Sequence, residues 1–195
     1  MNYLEFLNEN NELENLLSLI KNKDSSNVQL GLILAVNYEK DFIRHFNCSI
    51  KDYTILYNWL EDNNIKRSNN ITNRIVLSCE NSSIYELPDQ ITAIKFLNDL
   101  NLSNNKFQEI PEILFDFKEL QYLNLCNNKL CSIPTDFGNL KNTLKFLDVS
   151  KNNITNIPEI IGEFKKLKTL ILDKSLADSI PNSIKSNKKI KIQWV

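Results

Sequence analysis

The chain has one histidine, His45, three residues before Cys48, and that spacing can be drawn as a general base beside a nucleophile. The competing reading is a partly buried histidine on an ordinary helix next to Phe46, and nothing else in the sequence favours the chemical one. Four cysteines, at 48, 79, 126 and 131, form no C-x-x-C pair and have no histidine at metal-ligand spacing. Reduced thiols are the simplest account of them. Carboxylates occur singly on the surface of the later half of the chain, without a second acid placed opposite in a cleft. With only three glycines, Gly31, Gly138 and Gly162, neither a G-x-x-x-x-G-K-[ST] nor a G-x-G-x-x-G phosphate loop can be written. The expectation is therefore no enzyme: no catalytic residue, no metal and no cofactor.

The formal net charge of −1 predicts no global attraction to nucleic acid or to anionic lipid. Eight lysines face three acids over residues 163–195, but no aromatic residues interleave with the lysines in the manner of a nucleic-acid groove. The opening MNYLEFLNENNELE is acidic and lacks a charged leader followed by a long apolar run. Residues 30–36 form the longest apolar stretch, far short of a membrane span. These features point to a cytoplasmic chain with neither nucleic acid nor membrane as partner.

What must position any functional residue is a motif that the chain writes repeatedly. Residues 97–119 read LNDLNLSNNKFQEIPEILFDFKE. The pattern returns from Leu120 as LQYLNLCNNKLCSIPTDFGNLKN and from Leu144 as LKFLDVSKNNITNIPEIIGEFKK, with weaker copies from Arg74 and Leu167. The five prolines, Pro88, Pro111, Pro134, Pro158 and Pro181, are separated by 23, 23, 24 and 23 residues, which puts one extra residue near Asn142 or Thr143. Units of this size cannot bury their own apolar faces and must stack into a solenoid. Within each unit Leu100 and Leu102 alternate with Asp99, Asn101 and Ser103, which predicts a short strand with leucines inward. Asn105, Asn128 and Asn152 follow the strands, where an amide can satisfy turning backbone of its own and neighbouring units. Ser82 and Ser175 replace them in the outer copies. Phe107, Leu130 and Ile154, then Ile110, Ile133 and Ile157, are expected in the core, followed by short helical or irregular turns that bury Phe137 and Leu140.

The pattern LxxLxLxxNxLxxIPxxIxxFxx resembles the leucine-rich repeat family, in the class of 23-residue repeats, over residues 73–195. The resemblance implies an α/β solenoid with short parallel strands on a concave face and irregular or helical convex turns. It also implies that the concave face is the binding surface. Two parts are expected: residues 1–66 as a helical region capping the solenoid, and residues 74–195 as about five repeats plus a terminal edge strand.

Residues 1–66 follow helical spacing. Leu13, Leu16, Leu17 and Ile20 recur at i, i+3, i+4 and i+7. VQLGLILAV, preceded by the possible N-caps Asp24 to Asn27, reads as a buried helix or as a strand. Phe42, Ile43 and Phe46 suggest a third helix, and Ser49 with Asp52 approximates a capping box before Ile50, Tyr53, Tyr57 and Leu60. Paired helical hairpins follow, linked to the repeats by the polar stretch of residues 61–73. At the far end, Ile190, Ile192 and Trp194 alternate, but the repeat spacing would put Gln193 at the inward position. KKIKIQWV is thus expected as an edge strand, with Trp194 packing on the last repeat and lysines discouraging further pairing.

The strand register predicts columns of side chains across the sheet. The third position holds Val76, Asp99, Tyr122, Phe146 and Thr169, and the fifth Ser78, Asn101, Asn124, Asp148 and Ile171. The seventh holds Glu80, Ser103, Cys126, Ser150 and Asp173, and the eighth Asn81, Asn104, Asn127, Lys151 and Lys174. Tyr122 beside Phe146 is either the anchor of an interface or a cross-strand pair that stiffens the sheet. The candidate partner-binding residues are Asp99, Asn101, Tyr122, Asn124, Phe146, Asp148 and Thr169, with Asn105, Asn128 and Asn152 as a structural ladder. No deep pocket is foreseen, so a protein or peptide suits the face better than a small molecule. The expected function is a monomeric, non-catalytic adaptor that binds protein on the concave face. The alternative is a structural or regulatory subunit that associates through its N-terminal helices.

Overall fold

The computed structural model describes residues 12–66, 71–73 and 76–195. The acidic opening segment, Arg74 at the start of the first repeat copy and residues 67–70 of the polar passage lie outside the described residues.

Four helices come first: α1 (Glu12–Ile20), α2 (Ser25–Leu34), α3 (Glu39–Phe46) and α4 (Ile50–Asp62). Leu16 and Ile20 of α1 are buried, and Leu13 and Leu17 pack at the margin of the core. The ambiguous apolar run is a helix because Asp24 caps it, accepting from the Ser26 and Asn27 amides at 2.8 and 3.4 Å. Gly31 brings α1 and α2 together, since a Cβ there would meet Ile20 Cγ1 at 2.7 Å. This helix is not buried all round, as its composition suggested. Ile33 and Val36, on the side away from α1, are 70% and 68% exposed. Between α3 and α4, Asn47 takes a left-handed conformation (φ 60°), which asparagine tolerates better than most residues. Ser49 then caps α4, accepting from the Asp52 amide at 3.0 Å. Phe42, Phe46 and Tyr53 form a buried aromatic cluster with centroids 4.5 to 5.3 Å apart.

The rest of the described chain is a six-stranded parallel sheet whose strands follow sequence order. They are β1 (Val76–Ser78), β2 (Asp99–Asn101), β3 (Tyr122–Asn124), β4 (Phe146–Asp148), β5 (Thr169–Leu172) and β6 (Lys191–Trp194). Leu77, Leu100, Leu123, Leu147, Leu170 and Ile192 are aligned, and the five leucines are fully buried. Each such leucine contributes roughly 1.5–3 kcal/mol by leaving water. Pro88, Pro111, Pro134 and Pro158 each open a 3-10 turn on the opposite side, where their fixed φ suits the first residue of the turn. The extra residue of the third interval falls where it was expected. The turn Thr135–Leu140 is followed by further turn residues, with the Thr143 and Leu144 amides both donating to Leu140 O at 3.1 and 3.0 Å.

The terminal strand departs from the repeat spacing as the alternation of Ile190, Ile192 and Trp194 implied. Ile192, not Gln193, lies beside Leu170, and Gln193 pairs with Ile171. The preceding turn after Pro181 is a short α-helix, α5 (Asn182–Ser186), rather than a 3-10 turn. The α form advances about 1.5 Å per residue against about 2.0 Å for 3-10, so the connection is not held to the length of the others. Trp194 lies beside Leu172 and is 37% exposed. At the other end α4 packs on the turn Asp89–Ala93, and one continuous core runs from Leu16 to Ile190.

Candidate functional site

The third and fifth columns form as the register predicts. Val76, Asp99, Tyr122, Phe146 and Thr169 are successive partners across the sheet, as are Ser78, Asn101, Asn124, Asp148 and Ile171. Tyr122 and Phe146 stack, with centroids 6.3 Å apart and planes at 29°, and Tyr122 is 42% exposed. Asp99 and Thr169 flank this pair at half-buried positions.

The fifth column has a role that the sequence pattern did not reveal. Asn101 Oδ1, Asn124 Oδ1 and Asp148 Oδ1 each accept from the amide two residues later, at Ser103, Cys126 and Ser150, all at 3.0 Å. These Asx turns end the strands. Asn104, Asn127 and Lys151 follow in the left-handed region with φ of 55 to 57°. The signal was present as Asn or Asp at the fifth position with Asn at the eighth. In the last repeat the fifth residue is Ile171, which cannot form the turn. There β5 runs on to Leu172 and a 3-10 turn begins at Lys174. Part of the hydrogen-bonding capacity of Asn101, Asn124 and Asp148 is thus committed to their own backbone.

The seventh column requires a correction. Ser103 and Ser150 are buried, at 4% and 2% exposure, and are not open contact positions. Their short side chains sit under the turn, where Ser150 Oγ donates to Asp148 Oδ1 at 2.6 Å. Glu80 and Asp173 are bound to neighbouring turns. The Glu80 carboxylate accepts from Asn101 Nδ2 at 3.3 Å and Asn104 Nδ2 at 3.1 Å, and Asp173 accepts from the Lys151 amide at 2.9 Å. Asn127 Nδ2 donates to Asn104 Oδ1 at 2.7 Å, continuing the polar ladder.

Below the face, Asn105, Asn128 and Asn152 join adjacent coils. Asn128 Nδ2 donates to Leu102 O at 2.9 Å and Leu125 O at 3.1 Å, while its Oδ1 accepts from the Phe107 amide at 3.1 Å. Asn105 makes the same set with Cys79 O, Leu102 O and the Ile84 amide. Asn152 repeats it with Leu125 O, Val149 O and the Leu130 amide. Backbone groups that an apolar interior would leave unpaired are satisfied by one amide per coil.

The coils of residues 97–119 and 120–143, with strand β4 of the next, lie within the segment that is recognisable by comparison. Residues 95–154 match the family described as leucine rich repeat. Over those residues the chain carries leucine-rich repeats. Among solved structures, the ectodomain of the receptor kinase SOBIR1 from Arabidopsis thaliana is similar over 60% of this chain and 67% of its own, at 24% identity and a TM-score of 0.50. Toll, in its complex with Spatzle from Drosophila, is similar over 58% of this chain, at 22% identity and a TM-score of 0.50. A leucine-rich repeat protein from Leptospira interrogans is 33% identical over 57% of this chain, with a TM-score of 0.48. The present chain spans only 29% of the Leptospira protein and 16% of Toll. No protein of curated function matches the sequence.

The His45–Cys48 pair does not have the properties of a base and nucleophile. His45 is exposed rather than partly buried, with its ring edge-on to Phe46 at 4.8 Å. Desolvation, and then Lys21, lowers its pKa from the ordinary value. Burial pushes the Cys48 thiol up to about 12, opposite to the depression that a nucleophilic thiolate needs. Cys79 is buried in the strand-end core, Cys126 is half-buried and Cys131 is exposed, all as free thiols. No described helix is long and apolar enough to cross a membrane. Among the described residues no cluster of metal-ligating side chains occurs.

Proposed function

We propose that the leucine-rich repeat protein is a non-catalytic interaction module or adaptor that binds a protein or peptide on its concave sheet face, centred on Tyr122 and Phe146. The observation that carries this reading is the stacked, solvent-facing ring pair in the middle of an otherwise polar sheet. Aromatic residues in such a setting supply large contact area with few rotatable bonds. The Asx turns and the Glu80–Asn104–Asn127 ladder hold the surrounding polar groups in place, so little ordering would accompany association. Solvent-facing positions along the strands suit an extended partner better than a small molecule. In this reading residues 1–66 cap the repeats of residues 74–195, and the molecule works as a monomer in the cytoplasm, away from nucleic acid. Free thiols at all four cysteines support a reducing compartment.

The test is affinity capture with the wild-type chain and with the Tyr122→Ala/Phe146→Ala double variant, followed by calorimetry on any captured protein. Loss of about 2–4 kcal/mol of binding in the double variant, with the melting temperature held, is the expected result. Unchanged affinity would move the site off the sheet.

A second reading has its own observation. Ile33 of α2 and Val36 in the 3-10 turn Ala35–Tyr38 that follows it expose apolar surface, beside a shallow groove lined by Gln29, Leu32, Thr54 and Asn58. In that reading the helices attach the chain to an enzyme or to a second copy as a structural or regulatory subunit. Light scattering over a range of concentrations separates the two, since the adaptor remains monomeric while self-association through α2 raises the mass.

A further inference from the structure

The acids on the sheet face are not equivalent. Glu80 and Asp173 accept hydrogen bonds from neighbouring turns, and Asp148 accepts from its own. Asp99 has no such partner among the described residues, although it is half-buried between Val76 and Tyr122 in the register. The side-chain amides on either side of it along the chain are engaged elsewhere, Asn101 Nδ2 with Glu80 and Asn98 Nδ2 with Glu119 O at 3.2 Å. Burial raises the Asp99 pKa above the ordinary carboxylate value. A carboxylate held part-way out of water without a counter-charge favours a cation that arrives from outside.

The ring next to it narrows the kind of cation. Phe146 stacks on Tyr122 from β4, and Asp99 stands on β2, the strand on the other side of Tyr122. Adjacent strands are about 4.8 Å apart, so one group can meet both the ring of Tyr122 and the Asp99 carboxylate. A guanidinium is planar: it stacks on an aromatic face and forks two N–H groups toward a carboxylate. An ammonium is a more strongly hydrated point charge and would gain less from the ring. Val76, 56% exposed on the far side of Asp99, adds an apolar contact next to the charge.

We infer that the partner presents an arginine side chain, next to an apolar residue, to the corner formed by Asp99 and Tyr122, a deepening that rests on the concave-face reading above. The guanidinium pairs with the carboxylate and lies against the ring face that Phe146 leaves free.

A random peptide library selected on the full chain, with the Tyr122→Ala/Phe146→Ala variant as subtraction, reads this directly. The ring-dependent pool is expected to be enriched in arginine beside an apolar residue. A synthetic peptide from that pool should lose about tenfold or more in affinity when its arginine becomes citrulline, and by a similar factor against Asp99→Asn. Selection on Asp99→Lys should replace arginine by Asp and Glu. If Asp99→Asn melts below the wild type, the citrulline peptide reads the same contact on the unaltered protein. A ring-dependent pool without arginine enrichment, or citrulline peptides that bind as well as their parents, would overturn the guanidinium contact and leave the concave-face reading standing. An empty pool, or one indifferent to the two rings, would overturn both.

Discussion

In the helices each buried contact occurs once. Phe42, Phe46 and Tyr53 fill a space that no other part of the chain reproduces, and Gly31 serves a single crossing of α1 over α2. In the repeats the same contact recurs at every coil. Leu100, Leu123, Leu147 and Leu170 take one position in turn, and Asn105, Asn128 and Asn152 satisfy the same three kinds of backbone group. One region is held by an irreplaceable cluster, the other by a unit whose loss leaves its neighbours' own contacts in place. The two nevertheless share a core, because α4 covers the first turn of the stack.

The largest effect that tests this comparison is expected from Phe42→Ala. Removing a fully buried ring at a site with no duplicate should cost about 3–5 kcal/mol, read by urea denaturation. Because the core is continuous, helical circular dichroism and, in a Trp59→Phe background, the fluorescence of Trp194 should be lost in one transition. Two separated transitions would show that the helices and the stack are energetically independent. Next comes Asn128→Ala, which strips partners from Leu102 O, Leu125 O and the Phe107 amide at once and should cost about 2–3 kcal/mol. Asn152→Ala, at a less buried rung, should cost less. Equal losses at the two rungs would count against burial as the source of the cost.

Tyr122→Ala is expected to change stability by only about 0.5–1 kcal/mol, the size of a cross-strand pair. A larger loss would mean that the rings hold the sheet together rather than wait for a partner. An effect confined to alkaline pH lies in the helical region. The Cys48 pKa is raised from the ordinary 9.0 to about 12, so between those values the unfolded thiol releases its proton while the folded one keeps it. Stability contributed by Cys48 is whole below pH 9 and declines as pH rises toward 12. Cys48→Ser should flatten that part of the stability curve, and an unchanged slope would deny the burial of the thiol. Reaction with a thiol reagent in native conditions should proceed at Cys131 first and at Cys126 more slowly, with Cys79 protected.

Legibility followed the same division. The solenoid could be read because five copies of one message average out local ambiguity, and a period shared by every proline sets the register of the strands. Individual helices were readable where a cap and a spacing agreed, as at Ser49 and Leu60. The exposure of Ile33 and Val36 was not, because an apolar run says only that burial is available, and which side α1 would cover depended on its docking at Gly31. The last connection escaped for a similar reason: a short α-turn and a 3-10 turn are close in local energy, and packing on the preceding coil chose between them.

Amino-acid order alone determined the repeat, its alignment and the inward leucines, since each follows from short-range spacing multiplied along the chain. It also placed Tyr122 next to Phe146. Only the folded molecule decided which polar groups on the sheet are spent. Asn101, Asn124 and Asp148 turn back to their own backbone, Glu80 gathers two amides, and Asp99, next to Tyr122 in the register, is left without such a partner among the described residues. Hydrogen-bond partners are settled by distances of a few ångströms between coils more than twenty residues apart, and such distances exist only after the stack has closed.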